Sequence, residues 1–134
     1  MEIIIRKMDE QNIQHVNQCN GIFTVDSQLV LHAQNGRISY TVTAVPPYEK
    51  QYSLEEVDYR DYINNSEKVV FLAYINDQIA GQIRALKYWN RYAYIDDVVV
   101  DVNHRKQGVG RALIMQSIEW AKENSFPGLM LETQ

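Results

Sequence analysis

The distribution of apolar and polar residues along the chain predicts seven strands and three helices. Period-two alternation and β-branched runs predict strands over residues 2–8, 29–33, 38–45, 68–75, 78–89, 92–102 and 129–133. Spacings of three and four residues that follow polar starting residues predict helices over residues 9–17, 53–64 and 108–124. This order of elements favours an α+β fold with a mixed, mostly antiparallel sheet.

Short turn sequences indicate which strands are neighbours. Asn35-Gly36 separates two predicted strands, and this dipeptide is the strongest short signal for a β-hairpin. Asn76-Asp77 and Asn90-Arg91 form turns so short that the strands they join must pair antiparallel. Pro46-Pro47 is expected to end strand pairing, because proline lacks the N–H that a sheet ladder needs.

The predicted helices have recognisable starts, and the last one has an apolar face. Asp9 can cap the first helix, and residues 53–56 (Ser-Leu-Glu-Glu) have the sequence of a capping box. A strand–helix–strand connection predicts that strand 129–133 lies parallel to strand 92–102. The face of the last helix expected to lie on the sheet consists of Gly110, Leu113, Ile114, Ser117, Ile118 and Ala121.

Composition limits the class of protein. The 134 residues have a mass of 15.6 kDa, which predicts a single domain over residues 1–134. The net charge of −4 argues against binding to the phosphate backbone of a nucleic acid. Cys19 is the only cysteine, so an intramolecular disulfide is excluded and a cytoplasmic protein is expected. The histidines lack ligand spacing, and the longest apolar run is far too short for a membrane span, so neither a metal nor a membrane is expected.

One segment predicts a binding site for an anion. Gly108 and Gly110 stand where a strand and a polar loop become a helix, so backbone N–H groups there can approach a ligand closely. The helix N-terminus favours negative charge, and Arg105, Lys106 and Arg111 add cations nearby. Gly110 is also expected to let the helix approach the sheet. The pattern is typical of a pyrophosphate cradle, although a plain helix start with solvated charges fits the residues as well.

Two familiar phosphate-binding motifs do not match this segment. A P-loop would need Gly-Lys-Ser/Thr, and the dinucleotide fingerprint would need a small residue at position 113, which is leucine. Residues 105–110 instead read Arg-Lys-Gln-Gly-Val-Gly, after a β-strand and before an amphipathic helix. This arrangement resembles the acetyl-CoA loop of the GNAT family of N-acetyltransferases. Within the family the chain is most similar to the streptothricin N-acetyltransferases, notably in the Tyr-Ile-Asp-Asp-Val-Val-Val-Asp stretch at residues 94–101.

The resemblance implies a fold and a co-substrate. It implies a central mixed sheet flanked by helices and an acetyl-CoA-dependent enzyme that acts on a small cationic amine, with streptothricin as the expected acceptor, in antibiotic resistance. It implies that the pantetheine arm pairs with the strand backbone and that the loop holds the pyrophosphate. The residues implied in acetyl-CoA binding are Val98, Val99, Val100, Arg105, Lys106, Gln107, Gly108, Val109, Gly110 and Arg111.

The carboxylates closest to the expected acetyl position are Asp96 and Asp97. Neighbouring strand residues face opposite sides, so at most one of the two is expected to line the cleft. Asp97 is preferred as the base or water-holder, and a solvent-facing charge is the alternative. Tyr92 and Tyr94 are expected to line the acceptor site or to pack across strands. Cys19 is far from the acetyl-CoA loop motif in the sequence and is expected to be a buried residue rather than a nucleophile.

Residues 48–61 combine acidic and aromatic side chains, which would suit a cationic acceptor or simply form a solvated helix face.

Family members continue beyond the last predicted strand with a further helix, which carries a tyrosine acid, and with closing strands. The sequence ends at Gln134, so the exposed edge of the last strand predicts self-association. The alternatives are an aminoglycoside or protein N-terminal acetyltransferase, or a catalytically silent acyl-CoA-binding module.

Overall fold

A computed structural model describes residues 2–133 and shows the α+β fold expected from the sequence. The elements are β1 (Ile3–Lys7), β2 (Phe23–Gln34), β3 (Arg37–Lys50), β4 (Lys68–Ile75), β5 (Gln78–Lys87), β6 (Ala93–Val100), α1 (Val109–Glu123) and β7 (Leu129–Met130). Five strands form one sheet in the order β1-β4-β5-β6-β7, and β2 and β3 form a separate hairpin. The last strand of the sheet is parallel to its neighbour and the other pairings are antiparallel, as predicted.

Residues 22–53 form one compact unit, and the rest of the chain forms a second one; the single domain over residues 1–134 stays a prediction. The smaller unit is the β2–β3 hairpin, whose Asn35-Gly36 turn has φ of 54° and 74°. The prediction that Pro46-Pro47 ends strand pairing is wrong, because β3 continues to Lys50. The register shifts at the residue opposite the prolines, and such a bulge removes the need for their missing N–H groups.

The α1 helix covers one face of the five-stranded sheet. Leu113, Ser117 and Ala121 of the predicted helix face are buried, together with Val109 and Trp120. The opposite face of the sheet carries a second apolar cluster, to which β4 contributes alternate residues. Both faces of β4 are therefore buried, which explains its nearly uninterrupted apolar sequence.

The close approach between α1 and the sheet occurs at Gly81 of β5. A Cβ atom there would lie 2.8 Å from Val109 Cγ1, 3.0 Å from the Val99 carbonyl oxygen and 3.1 Å from Leu113 Cδ1. The expectation that Gly110 has this role is wrong, since a Cβ on Gly110 would meet Val100 Cγ2 at an ordinary 3.6 Å. Gly81 therefore sets the distance between helix and sheet.

Two predicted helices are wrong. Within residues 9–17 only a 3₁₀ turn forms, at Ile13–His15. Asp9 caps this turn as expected, since its Oδ1 accepts from the N–H groups of the second and third residues after it, but Asn17 has φ of 62° and its N–H bonds to Gln82, which ends the turn. Only a 3₁₀ turn at Tyr59–Tyr62 forms within residues 53–64. Residues 53–56, the expected capping box, open no helix, and Glu55 within this segment bonds to Arg84. Tertiary contacts thus override the local helix signals.

The observed ends of β5, β6 and β7 differ from the predicted ones. Strand β7 covers two residues rather than 129–133, and it pairs only with Ala93 and Tyr94 of β6. The connection from β5 to β6 is longer than the expected Asn90-Arg91 turn, although the strands are antiparallel neighbours as predicted. Within residues 2–133, no helix is long and apolar enough to cross a membrane.

Candidate acetyl-transfer site

The loop before α1 has the backbone shape that an anion cradle requires. Lys106 has φ of 62° and Gly108, the residue before the helix, has φ of 91°. The first helical hydrogen bond runs from the Ala112 N–H to the Gly108 carbonyl oxygen. Helix geometry leaves the preceding N–H groups without intrahelical partners, and alternation of φ turns successive N–H groups toward a common point. The loop can therefore bind phosphate oxygens through its backbone.

Side chains around this loop add positive charge unequally. Lys106 and Arg111 are exposed, whereas Arg105 is half-buried and donates from Nε to the Val100 carbonyl oxygen at 3.2 Å. Arg105 thus ties the loop to the end of β6. No acidic residue lies in the first turn of α1, so the helix dipole there is not opposed by a neighbouring carboxylate.

Strand β6 has one edge without a strand partner over most of its length. Within residues 2–133, its pairing with β7 ends at Tyr94, so Val98, Val99 and Val100 pair only with β5. The strands separate just before the two aspartates. An extended ligand chain could add to this edge by backbone hydrogen bonds, as peptides add to open sheet edges elsewhere.

A β-bulge places Asp96 and Asp97 on the same side of the sheet. In the β5–β6 register, Ala85 pairs with Ile95 and Arg84 pairs with Asp97, so Asp96 is the additional residue. Both carboxylates contact side chains of one face of β5, namely Arg84 and Gln82. The expectation that the two aspartates face opposite sides of the sheet is therefore wrong.

Arg84 is the buried counter-charge of the site. Its side chain is 4% exposed, and it donates to Asp96 Oδ2 from Nε at 3.1 Å and from Nη2 at 2.9 Å. It also bonds to Glu55 Oε2 at 3.3 Å and to the Tyr59 hydroxyl at 3.0 Å. Burial alone would lower the pKa of Arg84, but the hydrogen bond to Asp96 and the neighbouring groups raise it above its ordinary value. The guanidinium therefore stays charged.

Tyr94 and Tyr92 occupy different surroundings. The Tyr94 ring stacks on Tyr88 with centroids 4.5 Å apart. Partial burial, followed by the negative charges of Glu132 and Asp96, raises the pKa of Tyr94, so its phenol is protonated at neutral pH. Tyr92 is exposed, precedes β6 and lies against Gly128. Of these two tyrosines, Tyr94 is the one near Asp96.

Cys19 is only partly buried, and it lies near Asp97 and Asp101 although it is distant from them in the sequence. Burial, followed by the charges of Asp101 and Asp97, raises the pKa of the Cys19 thiol to about 11. The next residue, Asn20, donates its N–H to Asp101 Oδ2 at 2.9 Å and accepts a bond from the Val102 N–H at 2.9 Å. The segment that contains Cys19 therefore runs beside the end of β6.

One protein family matches most of this chain. Residues 38–134 match the model of the acetyltransferase (GNAT) family. The chain is 41% identical over 132 residues to streptothricin acetyltransferase A of Bacillus subtilis (strain 168), an alignment that covers 98% of this chain and 76% of that protein. The chain belongs to the GNAT family of acetyltransferases.

Solved structures of GNAT relatives have the same fold. A streptothricin acetyltransferase from Bacillus anthracis, in complex with acetyl coenzyme A, matches with a TM-score of 0.86 and 42% identity, over 99% of this chain and 75% of that one. A nourseothricin acetyltransferase matches with a TM-score of 0.75 and 28% identity, over 98% and 73% of the two chains. This GNAT chain is accordingly an N-acetyltransferase whose co-substrate is acetyl-CoA. No group of three or more potential ligand side chains in residues 2–133 is arranged to hold a metal ion.

The backbone of the described site fits such a co-substrate, with a loop for an anion and an open strand edge beside it. Sequence reasoning found the loop and the aspartates but missed Arg84, Gln82, Tyr59 and Asn17. Two polar residues, Gln82 and Arg84, stand two positions apart among the apolar residues of β5, and this was the available signal. Such residues on an otherwise buried strand need partners, and the partners here are the aspartates.

Proposed function

We propose that this GNAT chain transfers the acetyl group of acetyl-CoA to an amine of a small cationic acceptor, and that streptothricin is the acceptor. The observation that carries the proposal is the charge of the site. Asp96 and Glu55 pair with one buried guanidinium, that of Arg84, and Asp97 bonds to the uncharged Gln82 next to it on the same face of β5, so negative charge is in excess. Such a site attracts a cation. The relatives' names, which specify streptothricin, support the choice of acceptor.

Direct attack accounts for the proposed reaction. The neutral amine nitrogen forms a bond to the thioester carbonyl carbon, the carbon–sulfur bond breaks, and coenzyme A leaves as a thiolate. The amine proton passes to Asp97, either directly or through a water that Asp97 holds. Asp96, paired with Arg84, attracts the acceptor and keeps the site polar. Tyr94 lines the acceptor site, with Tyr92 at its margin.

The co-substrate is proposed to bind along β6 and the loop. The pantetheine arm pairs with the backbone of Val98, Val99 and Val100. The backbone N–H groups of residues 105–111, which form the loop and the start of α1, hold the pyrophosphate. Lys106 and Arg111 add electrostatic attraction. The early separation of β7 from β6 supports this placement, because it opens the strand edge beside the aspartates.

Mass spectrometry of streptothricin incubated with the chain and acetyl-CoA tests the proposed function. We expect one added acetyl group per molecule and a large loss of turnover in Asp97→Asn, with acetyl-CoA affinity unchanged. Aminoglycosides and peptide N-termini are the comparison acceptors. Acetylation of those amines but not of streptothricin would contradict the acceptor, and acetyl-CoA binding without transfer to any amine would indicate a silent binding module.

Self-association through the outer edge of β7 is also proposed. Leu131, the residue after this short strand, is about half exposed, and an open edge can pair with another chain. Light scattering at several concentrations tests this proposal. A mass that rises with concentration is expected, whereas a constant monomer mass would contradict it.

A further inference from the structure

Gln82 has a side-chain orientation that its surroundings dictate. The residue is 1% exposed. The Asn17 backbone N–H donates to Gln82 Oε1 at 2.8 Å, and Gln82 Nε2 donates to Asn17 Oδ1 at 3.0 Å and to Asp97 Oδ2 at 3.1 Å. Because a backbone N–H can only donate, Oε1 must face Asn17 and the amide nitrogen must face Asp97.

The neighbours of Gln82 are themselves fixed. Asn17 has φ of 62°, a left-handed conformation that asparagine tolerates, and its Oδ1 also accepts a bond from the Tyr59 hydroxyl at 3.1 Å. The Tyr59 hydroxyl in turn accepts from Arg84. Rotation of the Gln82 amide would leave buried polar atoms unpaired, and each such atom costs about 1–3 kcal/mol. The network therefore resists rearrangement.

The two aspartates receive different kinds of donor. Asp96 accepts two hydrogen bonds from the charged Arg84 side chain, whereas Asp97 accepts one from the uncharged Gln82 amide. A charged donor offsets the carboxylate's negative charge, and a neutral donor orients the carboxylate while it keeps its charge. The bulge in β6 is what allows each aspartate to meet its own donor on β5.

We infer that Gln82 is a positioning residue for acetyl transfer, which holds Asp97 by Oδ2 and thereby presents the rest of that carboxylate to the amine. The inference rests on the proposed role of Asp97. Gln82→Leu should lower kcat by roughly 10–100-fold, because small displacements of a reacting group are costly. KM for acetyl-CoA should stay within about twofold, since Gln82 does not belong to the proposed co-substrate contacts.

A double-mutant cycle separates positioning from a general structural role. Kinetics are measured for the wild type, Gln82→Leu, Asp97→Asn and the double variant. A residue that acts through Asp97 has nothing left to position in Asp97→Asn, so the double variant should turn over as slowly as Asp97→Asn alone. Losses that add up would overturn the inference. Gln78→Leu, an exposed glutamine of the same strand, is the matched control and should match the wild type.

A second variant and a second readout cover the case in which Gln82→Leu does not fold. Gln82→Glu keeps the volume and can accept from Asn17, but it places a carboxylate against Asp97 and should lose kcat similarly. In NMR spectra, the Gln82 side-chain NH₂ signals should exchange slowly with solvent and shift in Asp97→Asn. Fast exchange of these NH₂ protons, or NH₂ signals that do not shift in Asp97→Asn, would overturn the inference. This NMR test needs no amine substrate. A wild type that acetylates no amine would instead contradict the proposed function.

Discussion

A pair of glycine-to-alanine substitutions tests how the helix packs on the sheet. In Gly81→Ala, the new methyl group would meet Val109 Cγ1 at 2.8 Å and the Val99 carbonyl oxygen at 3.0 Å. The side chain can shift, but the carbonyl belongs to the paired backbone of β6. In Gly110→Ala, the closest atom is Val100 Cγ2 at 3.6 Å, an ordinary contact.

The expected stability changes have opposite signs. Overpacking at Gly81 costs about 1–3 kcal/mol, and the reduced entropy of the unfolded chain offsets only about 0.4–1 kcal/mol of that. Gly81→Ala should therefore lower the free energy of unfolding by roughly 1–2 kcal/mol. Gly110 lies in the first turn of α1 without positive φ, so Gly110→Ala should raise the free energy of unfolding by up to about 1 kcal/mol.

Urea unfolding at equilibrium measures both free energies, with thermal unfolding as a check on the order of stability. The m-values should stay equal, because the surface exposed on unfolding is almost unchanged. Gly81→Ala with wild-type stability would refute the close approach at that position. Equal destabilisation in the two variants would show that the helix lies closer to β6 than the structure places it.

Three further predictions concern the loop, its charges and the cysteine. Gly108→Val should weaken acetyl-CoA binding in calorimetry and cost roughly 1–3 kcal/mol of stability, because valine is strained at φ of 91°; unchanged affinity in a folded variant would contradict the cradle. Lys106→Ala should weaken binding less at high salt than at low salt, since Lys106 is exposed, and a loss independent of salt would argue against a charge effect. With its pKa of about 11, Cys19 should react slowly with iodoacetamide at pH 8 and faster as the pH rises, and rapid alkylation at pH 8 would contradict this. Because the ordinary pKa of the thiol is 9.0, the stability contributed by the neutral thiol should be lost between pH 9 and 11.

Features set by local sequence could be predicted. The bounds of β4 match the prediction because a strand buried on both faces has an almost uninterrupted apolar sequence. The hairpin turn at Asn35-Gly36 was predictable because these residues adopt the required positive φ. The loop before α1 was predictable because its two glycines and three cations are close in sequence.

Features set by contacts distant in sequence could not be predicted. The bulge at Asp96 depends on the register between β5 and β6, which strand alternation does not reveal. Residues 53–56 fit a capping box by sequence, but the ion pair of Glu55 with Arg84 is possible only once the sheet has formed. The link from Asn17 to Gln82 spans 65 residues, so neither residue shows its partner locally. These are the contacts that give the site its charge and its order.

Calorimetric titration with acetyl-CoA, ATP and NAD as separate ligands tests most directly the claim that this fold and loop serve acetyl transfer. The account predicts saturable binding of acetyl-CoA that Gly108→Val weakens, and little binding of ATP or NAD, because the loop lacks the P-loop and dinucleotide sequences. No heat with acetyl-CoA, or equal binding of the three ligands, would contradict it.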